Sequence, residues 1–304
     1  MVTMDSTHSG LDTLVRGMSN DGSFRVAAVN ATSLCAQICK LQQTDPTASV
    51  ALGRVICAAA LMISQLKGDQ RLALSVEGNG PLKKLHAEVN AHGDVCASIK
   101  NPIANLPPRD NKFDVAAAVG RAGFLRVVKD LGMKEPYSGM VQLCTSEIGD
   151  DVAQYFVESE QTPTSVALGV MLDRNRHISA CGGVMLQVMP QTEAEKIDAV
   201  ETRIKALPSI SDLIAQGTTP EGLIHHIVPA ENVHVYPATQ LRFKCRCSKP
   251  GVARMLATLG IDQLHELQNS PDEYTVTCEY CRTRYNFTAE EIGQIIETLQ
   301  ESKH

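Results

Sequence analysis

Four cysteines in the last quarter of the chain constrain it more than any other feature. They stand as two close pairs, Cys245-Arg246-Cys247 and Cys278-Glu279-Tyr280-Cys281, with 30 residues between Cys247 and Cys278. Zinc takes four ligands in a tetrahedron, and thiolates at two short spacings supply them with little distortion of either loop. A CxxC knuckle turns two sulfurs toward one ion. An extended CxC puts both side chains on one face, because strand side chains alternate. Two such pairs leave no open position for a substrate. The spacing therefore predicts one Zn(2+) per chain held by Cys245, Cys247, Cys278 and Cys281, in a structural and not a catalytic centre. Such a site contributes on the order of 10–16 kcal/mol of apparent binding energy to the folding of a small domain.

The same sulfurs carry redox chemistry. Zinc holds them as thiolates, the reactive form. Lys244, Arg246 and Arg282 stand close in sequence and would stabilise that negative charge. Oxidation of one thiolate to a sulfenic acid lets the neighbouring cysteine condense with it, pairing Cys245 with Cys247 and Cys278 with Cys281. Disulfides bind zinc poorly, and a domain of about 60 residues is marginal without its metal. The competing readings are a permanently structural zinc ribbon and a thiol–disulfide oxidoreductase using Cys278 and Cys281. Nothing nearby resembles a thioredoxin setting for the second. A nucleic-acid ribbon is disfavoured by charge: residues 241–304 hold eight Lys or Arg against nine Asp or Glu, despite a local cluster of Arg242, Lys244, Arg246 and Lys249.

The other six cysteines (Cys35, Cys39, Cys57, Cys96, Cys144, Cys181) are scattered singly through apolar surroundings and read as buried hydrophobes. Cys35 and Cys39 are four apart, as on one helix face. The chain lacks Trp, and aromatics are only 4%, so its core must be aliphatic. A net charge of -6 argues against a general binder of nucleic acid or acidic membrane. No stretch is expected to span a bilayer, and the polar N-terminus, Met1 to Asp12, does not read as a secretory signal.

Residues 1–190 read as one α+β domain with a mixed sheet. Asp45-Pro46 suits a helix start, and the Ala-rich run to Leu66 is helical in length. Leu72 to Val76 and Leu85 to Val89 alternate as strands, joined through Gly78-Asn79-Gly80-Pro81 as a hairpin. Further strands are expected at Phe124 to Val128 and Met140 to Leu143. A helix is expected at Asp150 to Glu158, then apolar runs at Val166 to Leu172 and Val184 to Met189. Residues 191–240 read as a helical linker cut by Pro208, Pro220, Pro229 and Pro237. Its stripe of Ile197, Val200, Ile204 and Leu207 must dock on something and could undock. Residues 241–304 form the small four-cysteine zinc domain. Short helices are expected at Gly251 to Leu259 and Ile261 to Gln268, and a strand at Tyr274 to Thr277. A final helix follows from Thr288, capped reciprocally with Glu291.

These features together resemble the redox-regulated chaperones of the 33 kDa heat-shock protein family, the 33 kDa chaperonins. The tail carries Phe243-Lys-Cys-Arg-Cys-Ser248 and Cys278-Glu-Tyr-Cys281, with Tyr285 and Phe287 following. The main domain carries Glu77-Gly-Asn-Gly-Pro-Leu82, Leu125-Arg-Val-Val-Lys-Asp-Leu-Gly132, Glu135-Pro-Tyr-Ser-Gly139, Ser159-Glu-Gln-Thr-Pro163, Leu168-Gly-Val170, and Gly182-Gly183 through Gln187 to Pro190. The resemblance implies an ATP-independent holdase, not an enzyme, acting in the cytoplasm. Its reduced, zinc-bound form would be inactive. Oxidation would form the two disulfides, release zinc, unfold tail and linker, and favour a homodimer that holds unfolded or aggregating client proteins. No nucleic acid or membrane partner is implied. The six scattered cysteines fall outside the family pattern.

Four other features have plain readings. His225-His226 suits a helix end, Gly78-Asn79-Gly80 a turn, and Asp150-Asp151 a helix N-terminus. Met171, Met185 and Met189 read as core.

Overall fold

An N-terminal hairpin, β1 (Thr13–Ser19) and β2 (Phe24–Asn30), leads into helices α1 (Thr32–Gln42) and α2 (Pro46–Met62). Three strands follow: β3 (Arg71–Gly78), β4 (Lys84–Asn90) and β5 (Asp94–Ile99). A short helix α3 (Val115–Val119) precedes β6 (Gly123–Asp130), β7 (Tyr137–Gln142) and α4 (Gly149–Glu160). Next come β8 (Thr164–Leu172) and β9 (Ile178–Val188), then helices α5 (Ala194–Lys205), α6 (Ile210–Ala215) and α7 (Pro220–Ile227). Short strands β10 (Val233–Val235), β11 (Thr239–Gln240) and β12 (Arg242–Phe243) end this part. The remainder holds α8 (Lys249–Leu256), α9 (Ile261–Gln268), β13 (Tyr274–Thr277), β14 (Arg284–Phe287) and α10 (Ala289–Glu301). This computed structural model describes residues 12–107, 112–270 and 273–301. The expectation for the first eleven residues lies outside that range. The chain divides into two units, one ending at Lys244 and one beginning at Cys245.

The first unit is built around α2. Asp45 caps it: one carboxylate oxygen accepts the Ala48 N–H at 2.8 Å, and Pro46 occupies the first turn. The other oxygen accepts the N–H groups of Ala104 and Asn105, at 2.7 and 2.9 Å, so one side chain fixes both the helix start and a distant loop. Nearly every residue of α2 is buried, because a sheet lies on each side of it. One sheet has the order β12-β5-β4-β3-β6-β7 and the other β10-β1-β2-β9-β8, with β11 also on β1. β12 runs parallel to β5 and the remaining pairs are antiparallel, which makes the architecture α+β with a mixed sheet. Leu72, Leu74 and Val76 of β3 and Leu85, Ala87 and Val89 of β4 turn inward to α2.

The sequence expectation that no segment could cross a bilayer needs correction. Pro46–Gln65 is long and apolar enough by length and composition, yet 89% of its most apolar stretch is buried inside the protein. Its apolar character is that of a helix enclosed between two sheets.

The second sheet is covered on both faces. In β2, Ala27 and Val29 face the α2 core, whereas Phe24, Val26 and Ala28 face the opposite way. That opposite face packs against Val200 of α5, Ile210, Leu213 and Ile214 of α6, and Leu223, Ile224 and Ile227 of α7. Ile204 and Leu207 pack at its edge. Three of the four residues of the predicted stripe, Val200, Ile204 and Leu207, thus pack on this sheet, and Ile197 is not among them. Closeness depends on a glycine. Gly169 of β8 lies opposite Gly182 of β9, and a Cβ at Gly169 would lie 2.4 Å from Ser211 N and 2.9 Å from Ile210 Cβ. Helix α6 therefore rests directly on strand backbone.

A methyl group cannot fit there without moving the helix, and overpacking of this kind costs about 1–3 kcal/mol. Gly169→Ala should loosen α6, increasing binding of a hydrophobic dye and protease cleavage within 191–240 in the reduced protein, while the α2 core keeps its protection from hydrogen exchange.

Candidate metal centre

Both cysteine pairs sit on short backbone segments held by hydrogen bonds. Immediately before Cys245 the chain is fastened to the first unit. β11 pairs with β1, β12 pairs with β5, and the intervening Leu241 is buried in the α2 core. The crossing is tight: Gly93 has φ 83°, and a Cβ there would lie 2.1 Å from Gln240 O. Asp94, 11% exposed, completes the clamp. Its Oδ1 accepts from Arg242 Nε at 2.6 Å, and its Oδ2 accepts from Lys244 Nζ at 3.1 Å and Asn90 Nδ2 at 3.0 Å. Burial raises this carboxyl, but the two cations and Asn90 outweigh it and hold it at about 2.

This pairing corrects one sequence expectation. The sequence places Lys244 in support of the thiolates, but its ammonium is engaged with Asp94. Lys249 pairs with Glu291 and lies 5.3 Å from the centroid of the Phe287 ring. Three members of the basic cluster around the first cysteine pair are therefore engaged with carboxylates, two of them sharing Asp94.

After Cys247, Ser248 caps α8, accepting the Gly251 N–H at 3.2 Å with Pro250 in the first turn. Cys278 and Cys281 occupy the turn between β13 and β14, which pair from Tyr274↔Phe287 to Thr277↔Arg284. Cys278 N donates to Thr283 O at 2.9 Å, Arg282 N donates to Cys278 O at 3.0 Å, and Arg282 takes a left-handed φ of 59°. This closes the knuckle and turns both sulfurs to the same side.

The four sulfurs meet within 4.8 Å of one another. Cys245 Sγ lies 3.6 Å from Cys278 Sγ, and Cys247 Sγ lies 3.3 Å from Cys281 Sγ. Four sulfurs at about 2.3 Å from a central zinc would be about 3.8 Å apart, so the cluster is positioned to hold one metal ion. Tyr285 OH donates to Cys247 Sγ at 3.1 Å, and Cys281 Sγ and Thr283 Oγ1 are hydrogen-bonded at 3.1 Å. Burial, helped by the neighbouring thiols, pushes Cys245 well above the ordinary thiol range. Burial also raises Cys281, but the Thr283 hydroxyl and backbone together with Cys247 and Cys278 outweigh it and bring it down to about 6. Without a cation the sulfurs thus divide their protons unequally. Four negative charges in this space require a positive ion at the centre.

The rest of this unit offers a modest apolar core. Val252, Leu256, Leu264, Phe287, Ile292 and Ile296 are buried together, drawn from α8, α9, β14 and α10. The predicted cap of α10 is present: Glu291 N donates to Thr288 Oγ1 at 3.2 Å, and Thr288 N donates to Glu291 Oε2 at 3.1 Å.

Other candidates fall where chemistry puts them. His225 and His226 lie in the last turn of α7, favourable for the helix dipole. Asp151 does more than complement the α4 dipole. It is fully buried, and its two oxygens accept the N–H groups of Cys144, Thr145, Ser146 and Ile148. Cys144 is exposed, against the expectation of apolar surroundings. Residue chemistry alone does not mark Thr283, Tyr285 or Asp94 as partners of the site. Only the position of Thr283 and Tyr285 just after the CxxC signals them.

Two outcomes follow. Replacing Tyr285 by Phe and Thr283 by Val removes partners of the sulfurs and should weaken metal retention about 10-fold in chelator competition. Asp94→Asn should cost about 1 kcal/mol, since both cations are half exposed, and speed hydrogen exchange over residues 239–244. Because folding lowers the Asp94 pKa, the clamp's contribution is present above about pH 4 and lost as pH falls toward 2.

Comparisons with known proteins give the family of the chain. The profile of the family described as Hsp33 protein matches residues 12–288. A 33 kDa chaperonin of Syntrophotalea carbinolica is 49% identical over 285 residues, covering 94% of this chain and 99% of the relative. A 33 kDa chaperonin of Geobacter sulfurreducens is 41% identical, covering 97% and 98%. The crystal structure of a 33 kDa chaperonin (heat shock protein 33 homolog) from Thermotoga maritima superposes with a TM-score of 0.87 at 31% identity, covering 96% of this chain and all of that one. With this profile spanning most of its length and these relatives matched almost end to end, the chain belongs to the Hsp33 family.

Proposed function

We propose that this chain is a redox-regulated, ATP-independent holdase that binds unfolded or aggregating client proteins. The observation that carries the reading is the convergence of Cys245, Cys247, Cys278 and Cys281 within 4.8 Å, in a member of a chaperone family. In the reduced, inactive state these four sulfurs would hold one Zn(2+), which supplies the positive charge that lets them pack as thiolates. A peroxide or related oxidant converts one thiolate to a sulfenic acid, with hydroxide leaving. The adjacent thiol then condenses with it, forming a disulfide and releasing water. Cys245 pairs with Cys247, and Cys278 with Cys281. Each pair lies within one short loop, so neither step requires the two loops to meet.

Disulfide formation removes the ligand set, leaving residues 241–304 to fold on six buried apolar side chains and their neighbours. Unfolding there would loosen β11 and β12, the anchors of the chain before Cys245. The 191–240 linker would then lift from its sheet, exposing Phe24, Val26, Val184 and Leu186 as sticky surface. Residues 1–190 would form the client-binding and dimerisation domain, with the homodimer as the active form. Chemistry of this kind suits a reducing compartment such as the cytoplasm, where unstressed thiols stay reduced. No catalytic turnover, nucleic acid or membrane enters the scheme.

Light scattering of a chemically denatured client tests the reading. Oxidised, zinc-depleted protein should suppress aggregation at stoichiometric amounts, and reduced, zinc-loaded protein should not. Equal suppression by both forms would rule out redox control.

A further inference from the structure

Three cysteines that are far apart in sequence meet in the first unit. Cys35 lies in the first turns of α1, Cys57 in α2 and Cys181 in β9. Their sulfurs all lie within 4.8 Å of one another, as those of the tail cluster do, and Cys57 Sγ is 3.4 Å from Cys181 Sγ. All three residues are 0% exposed. The reading of these cysteines as singly scattered hydrophobes is therefore incomplete: they are buried, but gathered. The backbone makes room for them. A Cβ at Gly53, one turn before Cys57, would lie 3.2 Å from Cys181 Sγ. Thr32 holds the strand residue in place, accepting the Cys181 N–H at 3.0 Å.

We propose that Cys35, Cys57 and Cys181 form a second sulfur site, which takes one soft monovalent cation, copper(I), in three-coordinate geometry. The argument begins with donor number. Two sulfurs suffice for a disulfide, but three mutually close ones define a trigonal site. Trigonal sulfurs at about 2.3 Å from an ion would stand about 4 Å apart, within reach of the observed spacing by small rotations. Zinc prefers a fourth ligand, and the nearby polar groups are already committed. The Asp12 carboxylate accepts the N–H groups of Ser33 and Leu34, at 3.1 and 2.6 Å, and the Thr32 hydroxyl donates to Asn30 Oδ1 at 2.8 Å. Soft sulfur donors suit copper(I) and zinc alike, and the lack of a fourth donor here favours copper(I).

Charge balance also favours a monovalent ion. Copper(I) entering with loss of one S–H proton to solvent leaves one thiolate, two thiol sulfurs and no net charge. An apolar interior tolerates that product, whereas a divalent ion on the same donors reaches neutrality only by displacing two protons from buried thiols. Cys39, one helical turn after Cys35, lines a cleft of ≈ 530 Å³ together with Lys40, His177 and Ile178, which offers an approach from the surface toward this part of α1. Once seated, the ion would tie α1, α2 and β9 together and stabilise the first unit by mass action. This site is independent of the tail cluster and of the redox scheme.

The test uses the full-length, reduced, zinc-loaded chain, titrated anaerobically with copper(I) against a chromogenic chelator, with zinc release followed in the same sample. Wild type should take up one more equivalent of copper(I) than Cys57→Ala or Cys181→Ala, while all three release the same zinc. Thermal melting of the first unit should rise with copper(I) in wild type and stay unchanged in the variants. Should the alanine variants not fold, copper X-ray absorption on the wild type at one equivalent serves instead, and a three-sulfur shell with zinc retained supports the site. Equal uptake by wild type and folded variants would overturn the proposal. So would loss of two core thiols to a disulfide with no copper retained, or a four-sulfur copper shell with zinc expelled.

Discussion

Four sulfurs confined to the space of one ion set the terms for the C-terminal unit. Thiolates so close repel one another, and burial together with the neighbouring thiols drives Cys245 toward the protonated form. A cation at the centre reverses that balance and turns repulsion into cohesion. The surrounding structure suits such an ion, with a CxC between β12 and α8, a knuckle closed by Thr283 and Arg282, and Tyr285 aimed at Cys247. Six buried apolar side chains complete the unit. A core of that size folds only narrowly by itself, which is why the state of the sulfurs can decide the state of the fold.

The first unit is organised in the opposite way. Its stability rests on α2, enclosed between two sheets, and on aliphatic packing that needs no metal to cohere. The segment between the units belongs by contact to the first. Helices α5 to α7 cover one face of a sheet, and α6 approaches so closely that glycine is required beneath it. The cover is amphipathic and replaceable in principle, since the sheet beneath would still be held from its other side. On the proposed reading, the α2 core stays folded, the α5–α7 cover detaches and the tail depends on its metal, the three physical parts that a conditional chaperone needs.

Much of this was legible in the sequence. Alternation at Leu72 to Val76 and Leu85 to Val89 marked β3 and β4, with the Gly78 to Pro81 turn between them. Asp45-Pro46 marked the start of α2, and Thr288 with Glu291 marked the cap of α10. The two cysteine spacings marked the cluster. Contacts between distant residues were not legible. Strands β1 and β2 lack clean alternation because both faces of their sheet are buried, so apolar residues run together at Leu14-Val15 and Val26 to Val29. Asp94 gives no sign in the sequence that it will meet Arg242 and Lys244. Cys35, Cys57 and Cys181 lie on two helices and a strand, and only tertiary folding brings their sulfurs together. Gly169 reads as a weak point in a strand until α6 is seen lying on it.

The proposal on which the rest depends is that metal held by sulfur keeps the unit beginning at Cys245 folded. It is tested most directly by following zinc release, free thiols and far-UV circular dichroism together during peroxide treatment. The account predicts that one zinc leaves as four thiols are lost from the tail, with helix and strand signal falling in step. A tail that keeps its secondary structure after its zinc has gone and its four sulfurs are bridged would contradict it.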